Sequence, residues 1–198
     1  MNAINIILIF VVAFLAGCEG ILDQFQFHQP LVACTLIGLV TGHLKAGIIL
    51  GGQLQLYALG WSNVGAAIAP DAALASTASA IIMALALNGG TSNIDEAIST
   101  SIALAIPLSV AGLFLTMLAR TFAIPMVHGM DSAAETADFK KIERIHWSGV
   151  AMQGLRIAIP ALILCFIPAS AVTNALNAMP EWLKGGMQVG GGMVAAVG

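Results

Sequence analysis

The chain has 198 residues, of which 59% are hydrophobic and only 9% charged, with a mean hydropathy of +0.93. Soluble domains carry about 25% charged residues to cover a watery surface, and ten acids with seven bases do not supply that. The net charge of -3 offers phosphates no basic patch and excludes nucleic acid as a partner.

The placement of the charges says more than their number. Residues 1–18, 24–44, 46–70, 72–94, 97–119 and 157–180 contain no Asp, Glu, Lys or Arg. A spanning helix needs about 20 mostly apolar residues, so most of these gaps are long enough to cross a bilayer. The expected fold is an all-α polytopic membrane protein with lipid as its surroundings and residues 1–198 as one membrane-embedded domain. No period of 20–50 residues marks a solenoid.

In chain order, the first apolar segment, 4–17, is short. Its end, Leu15-Ala16-Gly17-Cys18, looks like a lipoprotein cleavage box. No Lys or Arg precedes Lys45, however, and the chain beyond Cys18 stays apolar, against the pattern of a cleaved signal. Cys18, Cys34 and Cys165 are scattered in apolar stretches without metal-ligand spacing. They read as small buried side chains, and neither a metal nor a cofactor is expected.

The polar patch 19–30 follows, with Glu19, Asp23, Gln24, Gln26, His28 and Gln29. It either lines a polar cavity or forms a solvated loop. Phe25 and Phe27 alternate with the polar residues, which suits a strand or turn with one greasy face. Segment 31–42 is again short, 46–60 is interrupted by Gly51, Gly52, Gln53 and Gln55, and 64–87 carries Pro70-Asp71 near its start. Short segments broken by Gly or Pro mark re-entrant or discontinuous helices. Non-helical backbone at membrane depth survives only inside protein or beside a water-filled cavity, so the first ninety residues read as a transport core with broken helices.

Residues 88–96 read as a loop. Asn88-Gly89-Gly90 stops one helix, Ser92 or Asn93 caps the next, and Asp95 and Glu96 favour its N-terminal dipole. Segment 97–127 is long, with a kink expected at Pro107. The polar segment 128–147 reads as water-exposed and partly helical, 149–172 returns to the membrane with Pro160 inside it, and 185–198 is Gly-rich and apolar. Arg120, Lys140, Lys141, Arg144 and Arg156 flank or lie within 128–147, whereas 88–96 has no base. By the positive-inside rule, 128–147 is expected in the cytoplasm.

Asp71 is the sharpest candidate, the lone charge in a long apolar stretch. An ionisable residue there is by default a functional one, and a carboxylate accepts hydrogen bonds from ligand hydroxyl groups well. The bland alternative is a cap on a helix starting at Ala72, and the two roles are compatible. Asn63, Gln53 and Gln55 are neutral amides that either touch substrate or bond neighbouring helices. No nucleophile–base pair, phosphate loop or zinc motif appears, so the chain shows no catalytic machinery of its own.

Gly20-Ile21-Leu22-Asp23-Gln24-Phe25-Gln26-Phe27-His28-Gln29-Pro30 resembles the N-terminal signature of the mannose/sorbose-type IIC subunits of the bacterial phosphotransferase system. The Gly-Trp-x-Asn-x-Gly-Ala-Ala-x-Ala-Pro-Asp-Ala-Ala run within 59–76 is similar to the stronger second signature, and 155–161 and 176–193 look like later family segments. The resemblance implies a membrane subunit in the bacterial inner membrane that passes a mannose- or glucose-type hexose inward. It also implies a IID membrane partner, a trimer of IIC–IID pairs, and cytoplasmic IIA and IIB domains that phosphorylate the sugar. A bacteriocin and its immunity protein are further implied partners. Asp71, Asn63, Asp23, Gln24, Gln26 and His28 are the expected sugar contacts. Family members commonly run past 198 residues, so the sequence is expected to lack later spans. Gln55 stands where some members are expected to have Glu. The rival readings are an ion-coupled carrier, with Asp71 and Glu19 binding H⁺ or Na⁺, and a receptor subunit without a site of its own.

Overall fold

The computed structural model describes the chain except residues 20–22, 62–68, 92, 179, 181, 183–185 and 187–198. Among the described residues every regular element is a helix, without a strand. Helix α1 (Ala3–Gly17) leads to a 3-10 turn at Asp23–Phe25, then α2 (Pro30–Thr41) and α3 (Leu44–Ala58). Next come α4 (Ala72–Asn88), α5 (Ile94–Glu135), α6 (Phe139–Cys165) and the short α7 (Ala169–Asn177). The all-α expectation holds.

Helices α2 and α3 form a tight hairpin. Pro30 opens α2 at a position where its missing N–H costs nothing. Gly42, left-handed at φ 84°, closes it and turns the chain directly into α3. At a rise of about 1.5 Å per residue, α2 spans about 18 Å and α3 about 22 Å, short of a hydrocarbon core about 30 Å thick. The hairpin therefore has the dimensions of the re-entrant element expected from the broken segments. A Cβ on Gly47 would lie 2.5 Å from the Cys34 carbonyl oxygen and 2.9 Å from Gly38 Cα. The two backbones approach closely because neither has a side chain there.

Helix α4 is the centre of the bundle, with its residues buried from Ala73 through Ala86. Its hydroxyls satisfy themselves along the helix: Thr77 donates to the Ala73 carbonyl at 2.7 Å and Ser79 to the Ala75 carbonyl at 2.6 Å. Such bonding removes the cost of hydroxyls in an apolar core. Cys18, Cys34 and Cys165 are all buried, as small apolar side chains.

One boundary differs from the sequence expectation, and the polar segment 128–147, read as partly helical, contains two helix ends. The connection after α4 is shorter than 88–96, because Asn93 caps α5 at once, accepting from Asp95 N at 3.0 Å and Glu96 N at 3.4 Å. Segment 128–147 is helical on both sides of one bend: α5 continues to Glu135, and Asp138 caps α6 by accepting from Lys141 N at 3.1 Å. Charged residues one turn apart support a solvated helix as readily as a loop. Helix α5 runs from Ile94 to Glu135 with Pro107 and Pro125 inside it. Each proline removes one backbone donor, which a long helix tolerates. Helices α5 and α6 are both long and apolar enough to cross a membrane.

Candidate functional site

Asp71 sits at the N-cap of α4 in extended backbone (φ -80°, ψ 105°), and its Oδ1 accepts from Leu74 N at 2.9 Å. The capping alternative is thus what the fold shows. The carboxylate is also engaged elsewhere. Its Oδ2 accepts from Thr116 Oγ1 of α5 at 3.2 Å and from Nη1 of Arg156 on α6. The same Nη1 donates to Thr116 Oγ1 at 2.5 Å. Asp71 N donates to the Ser109 carbonyl at 3.0 Å, which straps the start of α4 to α5.

Arg156 carries a second carboxylate. Its Nη2 lies 3.5 Å from Glu19 Oε1, just beyond the end of α1. The side chains of Arg156 and Asp71 are 5% and 2% exposed, that of Glu19 28%. One guanidinium therefore joins α1, α4, α5 and α6 inside an apolar bundle. Arg fits this role because its planar fork offers several donors at fixed angles.

Two glycine contacts place these groups. A Cβ on Gly112 would collide with the Asp71 side chain, so the bare α5 backbone lets Asp71 sit against it, one turn from Thr116. Where α1 crosses α6, a Cβ on Gly17 would lie 2.7 Å from the Gln153 carbonyl oxygen, and one on Gly154 would enter the Phe14 ring. Glu19 and Arg156 each follow their crossing glycine by two residues. The crossing brings the acid and the base together.

The amides of the N-terminal patch form a second group. Gln29 Nε2 donates to Gln26 Oε1 at 3.0 Å and meets His28 Nε2 at 3.1 Å. Gln55 Nε2 of α3 donates to Gln29 Oε1 at 2.6 Å, while Gln55 Oε1 accepts from Leu31 N at 3.2 Å, satisfying one of the open donors of α2. Gln26 takes a left-handed φ of 56°, which turns the segment. Phe25 and Phe27 stack at 5.9 Å in this turn, so their alternation belongs to a turn and not to a strand. Helix α2 links the two groups: it starts at the amide turn, and Cys34 Sγ donates to the Ser76 carbonyl of α4 at 3.3 Å.

Of the expected contacts, the structure gathers Gln26 and His28 around Gln29 and places Asp71 in the ion-pair cluster. Asp23 and Gln24 lie in the 3-10 turn, with Gln24 exposed. Asn63 lies outside the described residues. Sequence reasoning missed Arg156, which it counted as a base flanking the polar segment. The available signal was the one that singled out Asp71, a charge set against an apolar run. No group of three or more His, Cys, Asp or Glu suited to a metal ion occurs among the described residues.

The family described as "PTS system sorbose-specific iic component" matches residues 3–198. This chain belongs to that family. Over 199 aligned residues the IIC chain is 46% identical to the "PTS system mannose-specific EIIC component" of Escherichia coli K12, covering 100% of this chain and 72% of the relative. It is 45% identical to the "PTS system sorbose-specific EIIC component" of Klebsiella pneumoniae, with the same coverage. Its fold is similar to a chain of the solved "CryoEM Structure of Mannose Transporter ManYZ and Microcin E492 (MceA) complex". The TM-score is 0.75 at 46% identity, covering 100% of this chain and 77% of that one. The IIC chain is accordingly an integral protein of the bacterial inner membrane and a sugar-transport subunit of mannose/sorbose type.

Proposed function

We propose that this IIC chain binds a mannose- or glucose-type hexose from outside and delivers it inward for phosphorylation. The observation that carries this reading is the charged cluster of Asp71, Arg156 and Glu19, bridged by the Thr116 hydroxyl, inside an apolar bundle. Ionisable groups are expensive within a membrane and mark substrate pathways, and this cluster borders helices too short to span. Asp71, Asn63, Asp23, Gln24, Gln26 and His28 are the proposed sugar contacts, because amides, imidazoles and carboxylates exchange hydrogen bonds with hydroxyl groups.

The subunit works in this reading with a IID membrane partner, in a trimer of IIC–IID pairs, and with cytoplasmic IIA and IIB phosphocarriers. Its bend between α5 and α6 faces the cytoplasm. The solved relative names a microcin, which supports a bacteriocin, with its immunity protein, as a further partner of this chain. Two buried or half-buried carboxylates also suit an ion-coupled carrier. Uptake distinguishes the two. Cells with the IIA and IIB partners should accumulate sugar phosphate. Accumulation of free sugar without those partners, abolished by an uncoupler, would favour the ion-coupled reading instead.

A further inference from the structure

We infer that Arg156 is a positioning residue of the sugar site: anchored on Asp71 and Thr116, it holds the Glu19 carboxylate as a sugar-binding group. This refines the reading above and rests on it.

Asp71 is almost closed to a ligand. Its side chain is 2% exposed, and its two oxygens accept from Leu74, Thr116 and Arg156. The Glu19 side chain is 28% exposed and shares the same guanidinium at 3.5 Å. Of the two carboxylates, Glu19 is the one with surface to offer. It lies at the end of α1 where the chain enters the proposed sugar-binding segment, four residues before Asp23.

The guanidinium is fixed from behind. Its Nη1 is held by Asp71 and Thr116, which come from different helices, so the plane of the fork has little freedom. Nη2 then points at Glu19. The buried Nε–H has no hydrogen-bond partner among the described residues. A buried donor without a partner is costly, and a bound hydroxyl group close to Glu19 supplies the acceptor it lacks. A carboxylate beside an N–H donor matches a sugar hydroxyl, which both donates and accepts. Asp71 thereby contributes to binding through Arg156.

The test is a double-mutant cycle on the full chain with its membrane and cytoplasmic partners. Uptake is measured with whichever of mannose, glucose, fructose and sorbose the unmodified chain transports best. Glu19→Gln should raise the half-saturation concentration about tenfold, the lower range for a charged hydrogen bond, and leave the maximal rate nearly unchanged. Arg156→Lys keeps a cation against Asp71 but loses the fork that serves two carboxylates, and should raise half-saturation by a similar factor. Combined, the two changes should be no worse than Glu19→Gln alone, since Arg156 acts through Glu19.

Multiplication of the two effects to about a hundredfold would overturn the inference. So would an Arg156→Lys chain that loses maximal rate at unchanged half-saturation. If Arg156→Lys blocks assembly, the cycle is run with Asp71→Asn and Arg156→Gln together, which removes both buried charges, and the same outcomes decide. Failure of the unmodified chain to take up any of the four sugars would overturn the underlying function and the inference with it. Uptake with an additive cycle overturns the inference alone.

Discussion

Arg156 pairs with Asp71 across 85 residues of sequence, joining the middle of α6 to the N-cap of α4 in the interior of the bundle. Both side chains are almost fully removed from solvent. A buried ion pair adds little over a well-packed apolar pair, because both charges lose their hydration. Losing one partner is different, since the other is left uncompensated.

Arg156→Leu should therefore destabilise the protein by about 3–5 kcal/mol, while Asp71→Asn together with Arg156→Gln should cost clearly less. The check is thermal unfolding of the purified membrane protein in detergent. Equal losses in the single and paired variants would mean that packing around Arg156, and not its charge, sets the stability.

What the sequence made legible follows from how local each feature is. Asp71 stood out because nothing nearby is charged, and the start of α4 at Ala72 follows from Asp71 as a cap and Pro70 before it. The caps at Asn93 and the stop at Gly89 are equally local. Arg156 was not legible as a partner because its contact depends on where α1 crosses α6 and where α5 meets α4. Read along the chain, it looked like one more base at a membrane edge. Gln55 was ambiguous for the same reason: its partner Gln29 is 26 residues away. The amide turn itself was only partly legible. Alternating Phe and Gln allowed a strand or a turn, and the left-handed Gln26 decides for the turn.

Gln55 has a specific task, so its replacement has a specific signature. Gln55→Leu leaves Gln29 Oε1 and Leu31 N without their partner, for a loss of about 1–3 kcal/mol if neither finds water. Amide hydrogen exchange should accelerate at Leu31 and over the turn at 26–29, with α4 unaffected. Gln55→Glu keeps the acceptor for Leu31 N and should protect that amide better than Leu does. Equal exchange at Leu31 in both variants would remove the capping role.

The two glycines of α3 separate close packing from helix propensity. A Cβ on Gly47 would meet backbone atoms of α2 at 2.5 Å and 2.9 Å, whereas one on Gly52 meets nothing within 4 Å. Backbone atoms have no rotamer to escape into, so Gly47→Ala should cost about 1–3 kcal/mol as overpacking. Gly52→Ala should be neutral or stabilise by up to about 1 kcal/mol, the Gly-to-Ala difference in a helix. Melting temperatures of the two single variants check this pair. A destabilising Gly52→Ala would indicate that a partner subunit packs on that face.

The orientation of the bend between α5 and α6 gives the last expectation. Helix α5 has 42 residues and at about 1.5 Å per residue is about twice the hydrocarbon thickness. Its far end therefore projects from the membrane or from the bundle around it. Lys140, Lys141 and Arg144 cluster just past this end, whereas the opposite end carries Asp95 and Glu96 without a base. Arg156 no longer counts toward this asymmetry, because it is buried against Asp71, but Arg120 and the cluster of Lys140, Lys141 and Arg144 suffice to favour the cytoplasmic side. Thr136 is exposed at the bend. With Cys18, Cys34 and Cys165 replaced, a Thr136→Cys chain should resist a membrane-impermeant thiol reagent in intact cells and react once the cells are opened. Labelling in intact cells would reverse the orientation and place the loop between α4 and α5 inside.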